Sequence, residues 1–217
     1  MSRPREYDET ALVSHAMDAF WSHGYRGTSI EHLVSGTGVS RASLYSAYPD
    51  KQGLFIESIK RYLDEIVEDN VRRLSQTEPA GEAVRQFFLG LLDAPPARLR
   101  RGCLLTNTAA ELGLKDKQTA ALIRQALVRV ENALHKRLFE AKNAGDLAEY
   151  VEPRSYARQL MTVLQGIRVM ARVDVDRRML SDAVKAALSP IKHSRTTRGA
   201  LDTAKQHSRA GASNKGR

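Results

Sequence analysis

The sequence predicts an all-α protein in which a three-helix unit containing a helix-turn-helix precedes a larger helical domain. Three observations carry that expectation. Apolar residues recur three and four positions apart along most of the chain, as helices with one buried face require. The segments so marked are bracketed by helix-starting Asp, Ser, Thr or Pro and by helix-stopping Gly or Pro. The 217 residues are 42% hydrophobic but only 6% aromatic, an ordinary composition for a soluble helical protein large enough to hold a full core.

In chain order, Ser2 to Tyr7 is a short arm. Its Arg3 and Arg5 either reach phosphates or a minor groove or belong to a frayed terminus. Asp8 caps a first helix with Val13, Ala16, Met17 and Phe20 on one face, and Gly24 closes it. Thr28 and Glu31 have capping-box spacing, so a second helix is expected there, with Ile30, Leu33 and Val34 inside and Gly36 ending it. Thr37-Gly38-Val39 is the turn. Ser40 caps a third helix running to about Tyr45 and stopping before Pro49, which biases Tyr48 away from helical geometry. Val39 and Leu44 anchor that helix, leaving Ser40, Arg41, Ala42, Ser43 and Tyr45 to project outward. Such side chains suit a DNA groove: Arg bonds guanine bidentately, Ser a base edge or phosphate, and an Ala methyl packs on thymine. A solvated helical hairpin has the same spacing, and spacing alone does not separate the two.

Asp50 caps a long helix to about Leu74, with Phe55, Ile59, Tyr62 and Ile66 on one stripe. Pro79 opens a helix bearing Val84, Phe87, Phe88, Leu91 and Leu92, which Pro95-Pro96 stops. Gly102-Cys103 opens the apolar run LLTNTAAEL, ended by Gly113. Asp116 caps a long helix with Ile123, Leu127, Val130, Leu134 and Leu138 in register, ending at Gly145. Pro153 opens the next, with Tyr156, Leu160, Val163, Ile167 and Met170 as a seam. The last runs from about Asp176 to Leu188, with Leu180, Val184 and Ala187. Gly166, Ala171, Ala183 and Ala187 are small enough for helices to approach closely. This final pair either dimerises or completes the monomer core.

Residues 8 to 56 resemble the N-terminal DNA-binding domain of the TetR family of transcriptional regulators. The matching pieces are an Ala and a Phe on the first helix, Gly24-Tyr25-x-x-Thr28-Ser29-Ile30, Gly38-Val39-Ser40, Leu44-Tyr45, and Asp50-Lys51-x-x-Leu54-Phe55. The resemblance implies a DNA-binding domain at 1-50 and a helical ligand-binding and dimerisation domain at 51-190; residues 191-217, rich in Ser, Thr, Gly and Ala and poor in apolar residues, are expected to be a basic, disordered tail. It places Thr28, Ser40, Tyr45, Tyr48 and Lys51 where the family touches phosphates, and Arg41, Ala42 and Ser43 where it reads bases. It implies a homodimer on a palindromic operator of double-stranded DNA, repression rather than enzymatic activity, and release when a small-molecule inducer shifts the long helix. The sequence departs from the pattern at Ser46-Ala47, where relatives often carry an aromatic residue or His, and at Gly53, where an acidic residue is usual.

Composition adds limits. The formal net charge is +9, and residues 191 to 217 hold seven Lys and Arg against one Asp, so most of the excess lies in the tail. A basic tail raises non-specific DNA affinity; a DNA-compacting protein without sequence preference is therefore an alternative, as is a solvated tail with no role. No apolar run is long enough to span a membrane, no signal-peptide core is present, and a single cysteine cannot form an internal disulfide, so the chain is expected in the cytoplasm with no membrane partner. No His-Glu-x-x-His, glycine-rich phosphate loop or Cys pair occurs, so no catalytic residue, metal site or cofactor is expected. Cys103 follows Arg100 and Arg101 at a helix start, where cations and free amides lower a thiol's pKa; it is either buried packing or the trigger of a redox- or electrophile-responsive regulator. Phe88, Cys103, Asn107, Glu111, Met161 and Gln165 are the candidate ligand-binding residues.

Overall fold

A computed structural model of the chain describes residues 8–192. The arm with Arg3 and Arg5 and nearly all of the basic tail lie outside them. The described residues form eleven α-helices with no strand, only an isolated antiparallel bridge between Leu147 and Ile191. No helix among them is long and apolar enough to cross a membrane.

Helix α1 (Glu9–Gly27) is capped by Asp8, whose carboxylate accepts from the amides of Thr10 and Ala11. It breaks at Gly24, which has φ +76°, so the expected stop becomes a kink followed by one more turn. Helix α2 (Ile30–Thr37) starts one residue later than the capping-box spacing implies. The buried Thr28 hydroxyl donates back to Gly24 O at 2.7 Å and closes α1, leaving Ser29 Oγ to accept from His32 N and cap α2. Nor does Gly36 end α2: it stays helical, and Gly38, at φ +67° with its amide on Val34 O, makes the left-handed stop. Helix α3 (Arg41–Ala47) is capped by Ser40 through Ser43 N, and Tyr48 leaves it in extended geometry before Pro49.

The long helix comprises α4 (Lys51–Tyr62), a π-helical turn (Leu63–Val67) and α5 (Glu68–Gln76), about 39 Å of continuous axis at the usual rise. The amide of Gly53 donates to Asp50 Oδ1 at 2.7 Å in its first turn. Helix α6 (Ala80–Leu92) follows Pro79. Pro95-Pro96 ends it as expected but also starts a short helix, α7 (Pro96–Arg101), that periodicity does not reveal. Then come α8 (Leu104–Leu112), α9 (Lys117–Asn143), α10 (Pro153–Met170), a 3-10 turn (Ala171–Val173) and α11 (Arg177–Leu188).

Two buried clusters result. The first joins Leu12, Ala16 and Phe20 of α1 to Leu33, Leu44, Leu54, Phe55 and Ile59, and extends to Leu104 and Ile123. Phe20 and Phe55 meet edge to face with ring centroids 4.8 Å apart, and each such buried ring contributes about 1.5 to 3 kcal/mol. The three-helix unit is thus held by α4 and α8 as much as by its own contacts, with α9 packed behind them. The second cluster packs Val84, Phe88, Leu134, Leu138, Leu160, Leu164 and Val184 from α6, α9, α10 and α11. Ile191 belongs to it and Lys192 N bonds Asp146 O at 2.8 Å, so ordered packing continues past the expected boundary at 190.

Candidate nucleic-acid interface and sensor cavity

The turn and caps around α3 leave one face of that helix open. Ser40, Arg41 and Ala42 are exposed, Tyr45 is 42% exposed, and Ser43 is half-buried. Beneath them Val39 and Leu44 are buried. The Arg41 guanidinium rests on Glu31 Oε1 at 2.8 Å, with both side chains mostly in solvent, so the pair contributes little and is readily exchanged for another acceptor. Hydrogen bonds to its own backbone, to Ser29 and then the Arg41 charge hold the Glu31 carboxyl below the usual carboxylate range. Ser40 and Ser43 share a hydroxyl contact of 2.9 Å that leaves both at the surface.

Three residues expected at phosphates are placed differently. The Thr28 side chain is buried and its hydroxyl is committed to Gly24; having closed α1, it has no path outward. Tyr48 is buried, and its hydroxyl donates to Glu9 Oε1 at 3.1 Å. Lys51 turns inward: Nζ donates to Tyr25 O at 3.0 Å and Thr28 O at 3.1 Å and lies 4.4 Å from the Tyr25 ring centre. It ties α4 to the α1–α2 link, satisfying carbonyls that the break at Gly24 leaves outside regular helix.

A cavity of about 550 Å³ lies among α1, α4, α5, α6, α7 and α10. Trp21, Tyr62, Phe87, Arg98 and Arg168 are on its wall. None of the six residues expected to bind ligand lines it. Phe88 is in the second core, one position from the lining Phe87. Met161 packs on the same core. Gln165 accepts from the Thr106 hydroxyl, and Asn107 Nδ2 donates to Arg101 O at 3.2 Å. Glu111 holds the other domain: its carboxylate accepts from Tyr25 N at 2.9 Å and Arg26 N at 2.7 Å, just past the α1 break. The positive φ at residue 24 favours glycine, and a Cβ there, 2.7 Å from Glu111 Oε2, would also push this carboxylate aside.

Cys103 is buried behind the cavity wall. Its influential cation is not Arg100 or Arg101 but Arg168 of α10. Burial pushes the thiol up, but the Arg168 guanidinium, the Tyr62 hydroxyl (3.4 Å from Sγ) and Thr106 outweigh it and hold the pKa below the ordinary thiol value. Arg101 instead pairs with Asp18 at 2.7 Å and covers the Trp21 ring at 4.1 Å, linking α7 to α1. The sequence carries little signal for this wall: Trp21, Tyr62 and Arg168 come from three separated helices and read individually as core or surface positions. Among the described residues no group of three or more His, Cys, Asp or Glu side chains is placed to hold a metal.

Comparison with known proteins agrees with this arrangement. Residues 12–57 match the family model described as bacterial regulatory proteins, tetR family, and residues 81–187 match the one described as tetracyclin repressor-like, C-terminal domain. The chain is similar to the uncharacterized HTH-type transcriptional regulator YezE of Bacillus subtilis (strain 168), 33% identical over 195 residues and covering 88% of this chain and 100% of that one. It is 27% identical over 172 residues to the HTH-type transcriptional repressor ComR of Escherichia coli (strain K12), with 78% and 82% covered. Among solved structures, the TetR family transcriptional regulator CifR, a triple cysteine mutant complexed with 26-bp double-strand operator DNA, superposes with a TM-score of 0.75 at 27% identity, covering 88% of this chain and 100% of that chain. The reduced form of E. coli NemR shares the fold, with a TM-score of 0.74 at 16% identity over 84% and 96% of the two chains.

Proposed function

Because the chain belongs to the TetR family, a class of DNA-binding transcriptional regulators without enzymatic activity, we propose that it is a ligand-responsive repressor. It binds a palindromic operator as a homodimer through the open face of α3 and leaves it when a small molecule enters the 550 Å³ cavity. The observation that carries the DNA reading is that Arg41, Ala42 and Tyr45 stand exposed on a helix whose other side is locked into the first core. Arg41, Ala42 and Ser43 read bases, while Ser40 and Tyr45 touch phosphates. Thr28, Tyr48 and Lys51 act by holding the helix-turn-helix in shape. The unit up to about residue 50 is the reading head, and the helices beyond it to Lys192 sense and dimerise. Repression follows from occupying promoter DNA, and a soluble, cytoplasmic location suits that task.

Dimerisation is assigned to α10 and α11, whose outer faces carry exposed Gly166 and Val169, continued by Val173 in the 3-10 turn, and exposed Met179, Ala183 and Ala186 at helical spacing. Small residues within an apolar stripe let a second copy's helices approach closely. A two-fold dimer would then set two α3 helices about 34 Å apart, as successive major grooves require. Signal passes from the sensor domain to α1 through α7 and α8, because the Arg101–Asp18 pair and Glu111 clasp α1 from that side. A coupling of about 1 to 3 kcal/mol would suffice for release.

A second reading is favoured by the contacts of Cys103: modification of the thiol would disrupt its contacts with Tyr62 and Arg168, so an oxidant or electrophile is an alternative trigger. Cys103→Ser separates the two, since it abolishes release by such reagents and spares release by a non-covalent ligand.

The test of the reading as a whole is selection of bound sequences from a random duplex pool at near-physiological salt, with the full chain and with a chain ending at Lys192. Enrichment of one palindrome by both supports the repressor. Binding that is indifferent to sequence, steeply salt-dependent and lost with the tail would identify a DNA-compacting protein instead.

A further inference from the structure

Five buried side-chain nitrogens find no hydrogen-bond partner among the described residues: Trp21 Nε1 and the Nε atoms of Arg61, Arg101, Arg137 and Arg168. Arg61, Arg101 and Arg137 each have a carboxylate on the same guanidinium, from Glu65, Asp18 and Glu78 respectively. Among the described residues Arg168 has none; its polar neighbours are Tyr62 and Cys103. Trp21, whose Nε1 has no acceptor, and Arg168, whose Nε has none although its guanidinium otherwise bonds Tyr62 and Cys103, both stand on the wall of the 550 Å³ cavity. Indole and guanidinium nitrogens only donate, so only an acceptor can complete them. The charged lining points the same way, with Arg73, Arg98 and Arg168 against Asp93. Arg73 is already occupied by Asp69, which leaves Arg98 and Arg168 against Asp93, a surplus of one positive charge. The rest of the wall is apolar, including Ile66, Leu74, Phe87, Leu91, Leu99 and Ile167, and the volume suits a small organic molecule.

We infer that this cavity takes an amphipathic organic carboxylate, its anionic end set toward Trp21 and Arg168 and its aromatic or alkyl body against the Phe87–Leu91 wall. This rests on the ligand-gated reading above and specifies the chemistry of its ligand. A neutral apolar molecule of the same size would leave both donors unsatisfied, whereas a carboxylate can accept from each. The position also serves signalling. Trp21 lies on α1 beneath Arg101, which is paired to Asp18 on the same helix, so a ligand that shifts the Trp21 ring bears on the arginine that clasps the reading head to α7.

Trp21 is the only tryptophan in the chain, so its fluorescence reports the cavity directly, and calorimetry gives an independent affinity. The probes are phenylacetate, 4-phenylbutanoate and octanoate, each beside its primary amide, with operator affinity measured in parallel. The carboxylates are expected to bind at least tenfold more tightly than their amides. Arg168→Gln should erase that preference while leaving amide affinity within threefold, and Arg168→Lys, which keeps the charge and guards against a folding defect, should restore part of it. Amides binding as tightly as carboxylates, an unchanged preference in Arg168→Gln, or no binding by any carboxylate in the set would each overturn the inference. Carboxylates that bind with the expected preference but leave operator affinity unchanged would uphold it and instead refute ligand-gated release.

Discussion

Glu111 is the most informative position to perturb. Each of its carboxylate oxygens accepts one backbone amide of α1, Tyr25 N at 2.9 Å and Arg26 N at 2.7 Å. Gln fills the same space but offers one oxygen, so one amide loses its acceptor and faces an NH2 donor. A hydrogen bond to a charged group contributes about 1.5 to 3 kcal/mol, and solvent at the exposed Arg26 end reduces the expected cost to about 1 to 2 kcal/mol. For a chain of this size that lowers Tm by about 2 to 8 °C, read by circular dichroism on Glu111→Gln beside Glu149→Gln, a substitution of an exposed glutamate expected to change little. Because the clasp also sets where α1 sits relative to α8, the maximal loss of operator affinity on saturation with inducer should shrink in Glu111→Gln. A Tm within about 1 °C of the parent, with release unaltered, would refute the clasp.

Lys51→Met should lower Tm by about 2 to 8 °C, since about 1 to 2 kcal/mol of bonding to Tyr25 O and Thr28 O is lost; an unchanged Tm with a salt slope smaller by about one would return Lys51 to the phosphate contacts. Val169→Glu on the exposed stripe of α10 should weaken dimerisation at least about 100-fold by placing an unpaired charge in the interface, and a dimer surviving in analytical ultracentrifugation would move the interface elsewhere. Asp116 caps α9. Burial pushes its carboxyl up, but hydrogen bonds from Thr119, Gln52 and Gln118 outweigh it and hold the pKa below the usual range. The folded state therefore binds that proton more weakly than the unfolded chain, and the stabilisation is full above about pH 4 and lost as pH falls through the lower folded value. The Tm gap between the parent and Asp116→Ala should stay constant from pH 7 to 5 and narrow below about pH 4; a gap unchanged at pH 2.5 would contradict the assignment.

What could be read in advance was local. Caps and periodicity place α1 to α6 and α8 to α11 because Asp8, Ser40, Asp50, Asp116 and Asp176 each accept backbone amides one turn on, as their spacing implies. The structure departs from local reading where tertiary contacts redirect a local group. Thr28 has the spacing of a cap, but the break at Gly24 presents it with a nearer carbonyl. Lys51, expected at a phosphate by its place in the motif, bonds two carbonyls and covers the Tyr25 ring in the free protein. Helix α7 has one turn and no apolar period to announce it. The cavity was least legible of all, since its polar end is assembled from Trp21 and Arg168, separated by most of the chain. Glu111, a candidate ligand contact by sequence, holds two backbone amides of α1, which no local pattern on its own helix indicates.

The central claim is that the open face of α3 reads sequence, and Arg41 tests it most directly. Affinities of the parent and of Arg41→Ala should be measured on the selected operator, on single-base variants of it and on random DNA at one salt concentration. Losing a bidentate base contact costs about 1 to 3 kcal/mol, whereas breaking the exposed pair with Glu31 costs little. The account predicts a loss of roughly 5- to 150-fold on the operator, with discrimination relaxed at one symmetry-related base position and random-DNA affinity little changed. Equal losses on operator and random DNA would make Arg41 a phosphate contact and contradict the assignment of base reading to this face.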